Sequence, residues 1–352
     1  MVKEESNLTC KLTINGRAVS APVGSTVLEA ARSAGIYIPT LCYHSSLAPF
    51  GACRLCIVEI EKLRGFPTSC TTPVTEGMVV RTNSPQLQEL RRGIFDLILS
   101  EHPQTCTTCA NNLRCEFQEL AAQIGLQKSS FPPSDRNLPV LTDSPFFDRD
   151  YNLCILCGRC IRVCQEVRGA GAIAFTYRGS QTLPGTAFNK PLLESDCQSC
   201  GACVDVCPTG ALLQRTNKYA GLPDYSVVST CPYCGVGCQL ELQVKDDRII
   251  RTRPADAVPN HGQACVKGRF GIEEFVHHPT RLTRPLIRKN GKLEEADWEE
   301  ALELIAGKLS AYKGDQFAFI SSAKCTNEEN YLAQKFTRAV MGTNNIDHCA
   351  RL

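Results

Sequence analysis

No run of about 18 apolar residues occurs in the 352-residue chain, so no membrane-spanning helix is expected. Neither sign of charge prevails. The 38 Lys and Arg face 36 Asp and Glu, a formal net charge of +2, which argues against nucleic acid or an anionic membrane as partner. An apolar signal core is missing from the polar first eleven residues, and the twin arginine Arg91-Arg92 lies too far inside to be an export signal. What the chain has in excess is cysteine, 22 in all. So many thiols without an export signal predict a reducing, cytoplasmic setting and metal ligation in place of disulfides. Thiolate-bound metal would make the loaded protein more acidic than +2 implies. The length suits two or three ordinary domains.

Residues 154–207 organise the rest. They read Cys154-x2-Cys157-x2-Cys160-x3-Cys164 and then Cys197-x2-Cys200-x2-Cys203-x3-Cys207-Pro208. A cubane takes three closely spaced thiolates and a fourth from elsewhere, and in two-cluster ferredoxins the fourth Cys of each run serves the other run's cluster. This predicts one 4Fe–4S cluster on Cys154, Cys157, Cys160 and Cys207, and another on Cys197, Cys200, Cys203 and Cys164. Zinc, the alternative, favours two separated CxxC knuckles and fits a repeated quadruple run poorly.

Residues 1–83 open with a strand over 8–14, an Asn15-Gly16 hairpin turn and a second strand over 17–21. Thr26-x-x-Glu29 is a capping box for a helix that Gly35 ends. Cys42-x10-Cys53-x2-Cys56-x13-Cys70 follows on a long loop, with Gly51 and Ala52 beside the ligands. Four thiols beside a β-β-α unit suit a 2Fe–2S cluster, although the spacing is not that of plant ferredoxins; a structural zinc site is the alternative. Cys10, in the first strand, reads as a small buried residue.

In residues 84–145, Ser84-Pro85 starts a helix with Leu87, Leu90, Ile94, Leu97 and Ile98 as its apolar stripe. Beyond it stand His102, Cys106, Cys109 and Cys115. Residues 128–145 read as a linker. Both N-terminal modules resemble those of the large iron–sulfur subunit of respiratory complex I and of iron-only hydrogenases. That resemblance implies a β-grasp 2Fe–2S ferredoxin on Cys42, Cys53, Cys56 and Cys70. It also implies a 4Fe–4S cluster on His102 and three Cys. An imidazole in place of a thiolate removes negative charge and should raise that cluster's potential. The small modules of residues 1–222 cannot bury a large apolar core, so without iron they are expected to be largely disordered.

Residues 223–285 carry Cys231-x2-Cys234-x3-Cys238-x26-Cys265 and then Val266-Lys267-Gly268. This resembles the N-terminal 4Fe–4S domain of molybdopterin oxidoreductases of the dimethylsulfoxide reductase family. The resemblance implies a fourth cubane on these Cys. It places Lys267, as a buried cation, between cluster and pterin, a catalytic and cofactor-binding role; a solvated surface lysine is the plainer alternative. In residues 286–352, Asp297-x-x-Glu300 caps a helix with Trp298, Leu302, Ile305 and Leu309 on one face. A strand over 316–320 and a helix opened by Thr326-x-x-Glu329 and closed by Gly342 follow. One strand and one helix read as the incomplete opening of an α/β domain.

The final run, with His348-Cys349-Ala350-Arg351, resembles the sequence before the metal-ligating residue of formate dehydrogenases. The next residue there is selenocysteine or cysteine. The chain is therefore expected to end at a selenocysteine codon read as a stop, and on its own to be inactive on formate. Cys325 and Cys349 are not expected to hold clusters.

The expectation is an α+β multidomain iron–sulfur protein with one 2Fe–2S and four 4Fe–4S clusters. By the resemblance, the full-length protein is a formate dehydrogenase α subunit with Mo- or W-bis-molybdopterin guanine dinucleotide, converting formate to carbon dioxide reversibly. The expected electron path runs from the Cys231 cluster through the ferredoxin pair and the His102 cluster to the 2Fe–2S site. A flavin- and NAD(P)-binding diaphorase-type subunit, or a ferredoxin-linked bifurcating complex, is the implied partner. A complex I large subunit (NADH-quinone oxidoreductase) and a stand-alone electron-transfer subunit are the rival readings.

Overall fold

A computed structural model describes residues 8–134 and 136–349, and the chain divides into two units, residues 1–222 and 223–352. The first unit starts with β1 (Thr9–Ile14) and β2 (Arg17–Pro22), antiparallel about Asn15 and Gly16. Both turn residues have positive φ, 53° and 80°, the geometry that an Asn-Gly hairpin turn supplies. Helix α1 (Val27–Ser33) carries the expected capping box. Two short strands, β3 (Glu59–Ile60) and β4 (Val79–Arg81), complete a sheet of order β2-β1-β4-β3 in which β1 and β4 run parallel. Leu12, Ile14, Val27, Leu28, Val58 and Val80 fill the core beneath α1, and Cys10 packs half-buried against it.

Helix α2 (Pro85–Ser100) begins as expected, with the Ser84 hydroxyl accepting from the Leu87 amide. Its buried face differs from the expected stripe. Leu87, Arg91, Phe95 and Leu99 are inside, while Leu90 and Leu97 are exposed. The i, i+4 row through Arg91 wins because its guanidinium caps buried carbonyls, which no leucine can do. Helix α3 (Glu116–Ile124) packs Phe117 on Phe95, ring centroids 4.7 Å apart, and ends at Gly125 with φ 71°.

The expected linker is a docked strap. Ser129 and Ser130 hydroxyls donate to the Asp96 carboxylate, and Leu138 and Asn152 exchange hydrogen bonds of 2.9 and 2.8 Å. The polar composition that suggested a linker is consumed in these bonds. Strand β5 (Phe147–Arg149) then leads into α4 (Arg159–Arg162). A hairpin of β6 (Ala174–Thr176) and β7 (Leu183–Gly185) and the short α5 (Ala202–Asp205) follow, and β8 (Leu212–Gln214) returns antiparallel to β5.

In the second unit, β9 (Tyr225–Thr230), β10 (Gln239–Lys245) and β11 (Arg248–Pro254) form an antiparallel sheet of order β11-β10-β9. Helix α6 (Val266–Val276) packs Ile272 against Leu240. A hairpin, β12 (Leu286–Lys289) and β13 (Lys292–Glu295), precedes α7 (Trp298–Leu309). The apolar face expected there is exposed among the described residues, Trp298 at 69% and Leu302 at 57%. Strand β14 (Phe319–Ser321), α8 (Asn327–Lys335) and a second strand, β15 (Ile346–His348), parallel to β14, make a βαβ unit. The second strand was not expected, because Ile346-Asp347-His348 is short and mostly polar. Within the described residues no helix is long and apolar enough to cross a membrane.

Candidate metal centres

Cys42, Cys53, Cys56 and Cys70 are all buried and within hydrogen-bonding reach of one another in pairs. Sulfurs so close cannot all be ionised or all protonated alike. Hydrogen bonds from Cys53 and Cys70 hold Cys42 down, and one from Cys70 holds Cys56 at about 7; Cys53 and Cys70 are pushed up in return. The Leu41 amide donates to Cys53 Sγ and the Cys53 amide to Cys42 Sγ, each at 3.5 Å. Main-chain donors aimed at sulfur are what a thiolate ligand needs. Gly51 bends the loop at φ 68°, where an added Cβ would meet Thr71 Cγ2 at 3.3 Å. Two arginines from elsewhere hold the loop. Arg91 donates to the carbonyls of Leu55 (3.0 Å) and Ile57 (2.6 Å), either side of Cys56. Arg162 donates to those of Ala48 (2.5 Å) and Cys42.

His102 follows α2 and is 8% exposed. It lines a cavity of about 390 Å³ together with Cys106, Cys109, Cys115, Phe117 and Gly210. Its Nδ1 is buried without a partner. Burial drives the ring down to about 4, against a main-chain hydrogen bond to Leu153. The imidazole is thus neutral and anchored on one side, the state in which histidine binds metal. Cys109 Sγ accepts from the Asn111 amide at 3.5 Å, and burial pushes Cys115 up to about 11. Three thiols and one orphaned ring nitrogen facing one cavity fit a four-point cluster.

The two quadruple runs fold alike. Leu156 and Ser199 have φ 54° and 51°, and Gly158 and Gly201 have φ 70° and 71°; the amides of Leu156 and Ser199 each donate to a sulfur at 3.4 Å, Cys154 and Cys197 respectively. Their fourth cysteines cross over. Burial raises Cys154 to about 11, Cys157 to about 12 and Cys160 well above its ordinary value, with the nearby Cys207 adding to each. Cys197 is raised by burial and by its neighbours Cys200 and Cys164. Cys203 belongs to the same run and packs with Cys200 on Val163, Ala202 and Val206.

These sites adjoin. The β-carbon of an alanine at Gly210 would lie 3.3 Å from Cys109 Sγ and 3.2 Å from Leu153. Arg159 reaches from α4 to Glu116 at 2.8 Å. On the other side, Phe50, between Cys42 and Cys53, would lie 3.1 Å from a β-carbon at Gly158. The Cys154 set therefore borders both the Cys42 loop and the His102 cavity. The His102 side also packs on the Cys42 loop directly, since Cys42 and Cys53 share a buried cluster with Phe95, Leu99 and Phe117, with Cys115 against it.

In the second unit Cys231 is buried, Cys238 half-buried, and Cys234 and Cys265 exposed. Burial raises Cys231, with Cys238, Cys265 and Cys234 as charged neighbours, so the four gather at one place. Lys267 is exposed in this chain; Arg269, two residues on and about 200° around the helix, is the buried cation of α6. Cys349 Sγ lies 3.5 Å from Ser322 Oγ; residues 350–352 of the final run lie outside the described residues. None of the 22 cysteines forms a disulfide.

Five family descriptions match in succession. They are a 2Fe–2S iron–sulfur cluster binding domain (residues 8–85) and the NADH-ubiquinone oxidoreductase-G iron–sulfur binding region (91–130). The ferredoxin-like domain of NADH-quinone oxidoreductase subunit 3 (144–213), the molybdopterin oxidoreductase Fe4S4 domain (225–278) and molybdopterin oxidoreductase (281–352) follow. The chain is 37% identical to the NADPH-Fe(3+) oxidoreductase subunit alpha of Geobacter sulfurreducens. It is 38% identical to a G-type NADH-quinone oxidoreductase subunit of Rhizobium meliloti. In each case 97% of this chain and 40% of the relative are covered. It is 33% identical to a Staphylococcus aureus protein whose name provisionally assigns a formate dehydrogenase, over 97% of this chain and 39% of that one. The chain thus spans about two fifths of the length of these relatives. Among solved structures, a chain of an NAD+-reducing NiFe hydrogenase in the H2-reduced state aligns with TM-score 0.57 at 30% identity, covering 60% of this chain and 90% of that one. In this order, the matched regions are iron–sulfur domains of the NADH-quinone oxidoreductase type followed by the Fe4S4 and molybdopterin domains of molybdopterin oxidoreductases.

Proposed function

We propose that the chain is the electron relay of a formate dehydrogenase. The 2Fe–2S cluster sits on Cys42, Cys53, Cys56 and Cys70, and a cubane on His102, Cys106, Cys109 and Cys115. The ferredoxin pair holds two cubanes with crossed fourth ligands, and Cys231, Cys234, Cys238 and Cys265 hold the fourth. Lys267 is the residue of this chain proposed to contact the pterin; its exposure leaves the ammonium accessible. The observation that carries the relay is the adjacency of three thiol sets in the first unit, through Phe50 and Gly158 on one side and Cys109 and Gly210 on the other. Sites packed this closely suit single-electron passage, and the Cys154 set is its junction. The whole protein would take two electrons from formate at a Mo- or W-bis-molybdopterin guanine dinucleotide and deliver them to a nicotinamide- or ferredoxin-linked partner.

A second reading has equal support among relatives. As a counterpart of the G-type NADH-quinone oxidoreductase chain, the same relay would carry electrons from NADH. The test is to purify the full-length protein anaerobically with its partner subunits and follow cluster reduction by EPR. Reduction by formate supports the dehydrogenase. Reduction by NADH together with inertness to formate overturns it in favour of the second reading.

A further inference from the structure

The four-residue α4 carries two buried arginines that reach different partners. Arg159 reaches the His102 side, where its Nη1 meets Glu116 Oε1 at 2.8 Å and the Val206 carbonyl at 3.4 Å. Arg162, 7% exposed, reaches the Cys42 loop, donating to the carbonyls of Ala48 and Cys42, with its guanidinium 5.1 Å above the Phe50 ring. The difference is in charge. Arg159 has a carboxylate partner. Arg162 forms no ion pair among the described residues, and Glu166, one turn on, is engaged by the Ala48 amide at 2.8 Å. Glu166 keeps its charge on accepting that bond, but it makes no direct contact with the guanidinium, and a buried cation with no carboxylate bonded to it acts on nearby charge.

We propose that Arg162 is a positioning residue that fixes the Cys42 ligand loop against the Cys157–Cys160 turn and raises the potential of the 2Fe–2S site, so that the junction's two arms are electrically unequal. This rests on the reading of Cys42, Cys53, Cys56 and Cys70 as a 2Fe–2S site. With clusters held by the two thiol sets, the step it would bias is the passage of one electron from a cubane on Cys154, Cys157, Cys160 and Cys207, oxidised by it, to a 2Fe–2S cluster on the Cys42 set, reduced by it, with no bond formed and no proton moved. Reduction adds a negative charge to a thiolate-ligated cluster, and a buried cation beside it favours that state. Glu116, half-exposed, offsets part of the same effect on the opposite arm.

The test is an EPR-monitored redox titration of the full-length protein with its partner subunits, in Arg162→Gln, Arg162→Lys and Glu116→Gln forms, with iron and sulfide assayed in each. Arg162→Gln is expected to shift the 2Fe–2S signal to lower potential. Arg162→Lys should keep most of the native value. Glu116→Gln should raise the potentials of the cubane signals and leave the 2Fe–2S signal in place. Should Arg162→Gln lose the cluster altogether, retention of cluster and potential in Arg162→Lys still supports the charge. Equal shifts in the Gln and Lys forms, no shift in either, or loss of the cluster in both overturn the proposal. Absence of a 2Fe–2S signal in the unmutated protein overturns instead the site reading on which it stands.

Discussion

The ring of His102 lies against that of Phe117, centroids 4.8 Å apart, with its Nδ1 buried and without a hydrogen-bond partner. Phe117 is held in turn by Phe95, and its amide donates to the Pro208 carbonyl at 3.3 Å, beside Cys207. A neutral, fixed imidazole aimed at a cavity shared with three thiols is costly unless the nitrogen gains a partner. His102→Ala should lower the iron content by about four atoms per chain, the content of one cubane. His102→Cys should restore the iron while lowering that cluster's potential, since a thiolate adds the negative charge that imidazole lacks. Iron assay and EPR titration read both outcomes. Unchanged iron in His102→Ala would remove His102 from the ligand set.

Cys207 sits among Cys154, Cys157 and Cys160, whereas Cys164 sits with Cys197. Cys207→Ser is therefore expected to disturb the cubane of the first run, and Cys164→Ser that of the second. The former borders the Cys42 loop and the His102 cavity, so only Cys207→Ser should alter the magnetic coupling to the 2Fe–2S signal. If the two substitutions exchange their effects, the ligands do not cross.

Much of this arrangement was legible in the spacing of cysteines, because thiolate ligation requires a run with little freedom between ligands. The Asn15-Gly16 hairpin and the Thr26–Glu29 and Thr326–Glu329 capping boxes were legible for a similar reason, since each is a local device. What was not legible depends on distant partners. Arg91 looks like a break in an apolar stripe until Leu55 and Ile57 supply carbonyls for it, although its place four residues from both Leu87 and Phe95 was a signal. The serines at 129 and 130 read as linker until Asp96 appears beside them. Lys267 is exposed on α6, and the helical turn puts Arg269 on the buried face instead.

Asp148 in β5 is 7% exposed and pairs with Arg215 at 2.8 Å and with Lys218. Burial alone would raise its carboxyl, but the hydrogen bonds and charges of Lys218 and Arg215 outweigh it and the net shift is downward. A carboxyl lowered in the folded state stabilises it above the unfolded value of about 4, and the gain disappears as pH falls through the folded value. Asp148→Asn should cost roughly 1 kcal/mol at neutral pH, because both cations are partly solvated. The gap from the native protein should close below about pH 4. Thermal melts across pH, comparing the two proteins, check this; a gap independent of pH would mean that packing, not charge, is lost.

Removing iron should not affect the first unit evenly. The β1–β4 sheet and α1 bury a connected core in which Leu12, Ile14, Val27, Leu28 and Val80 make no use of metal. Among the described residues, the buried apolar cluster at the second quadruple run is small, Leu47, Val163, Ala202 and Val206, with Cys200 and Cys203 packed against it. Ligation must then supply the order that apolar burial there does not. The sequence suggested general disorder in the iron-free state; the distribution of core residues instead predicts a graded loss. After anaerobic chelation, amide exchange measured by mass spectrometry should rise first in residues 154–207 and around His102, while residues 9–33 stay protected longest. Simultaneous loss of protection across residues 9–214 would show that the sheet's core cannot stand without the clusters, and that the 2Fe–2S loop is part of its folding nucleus.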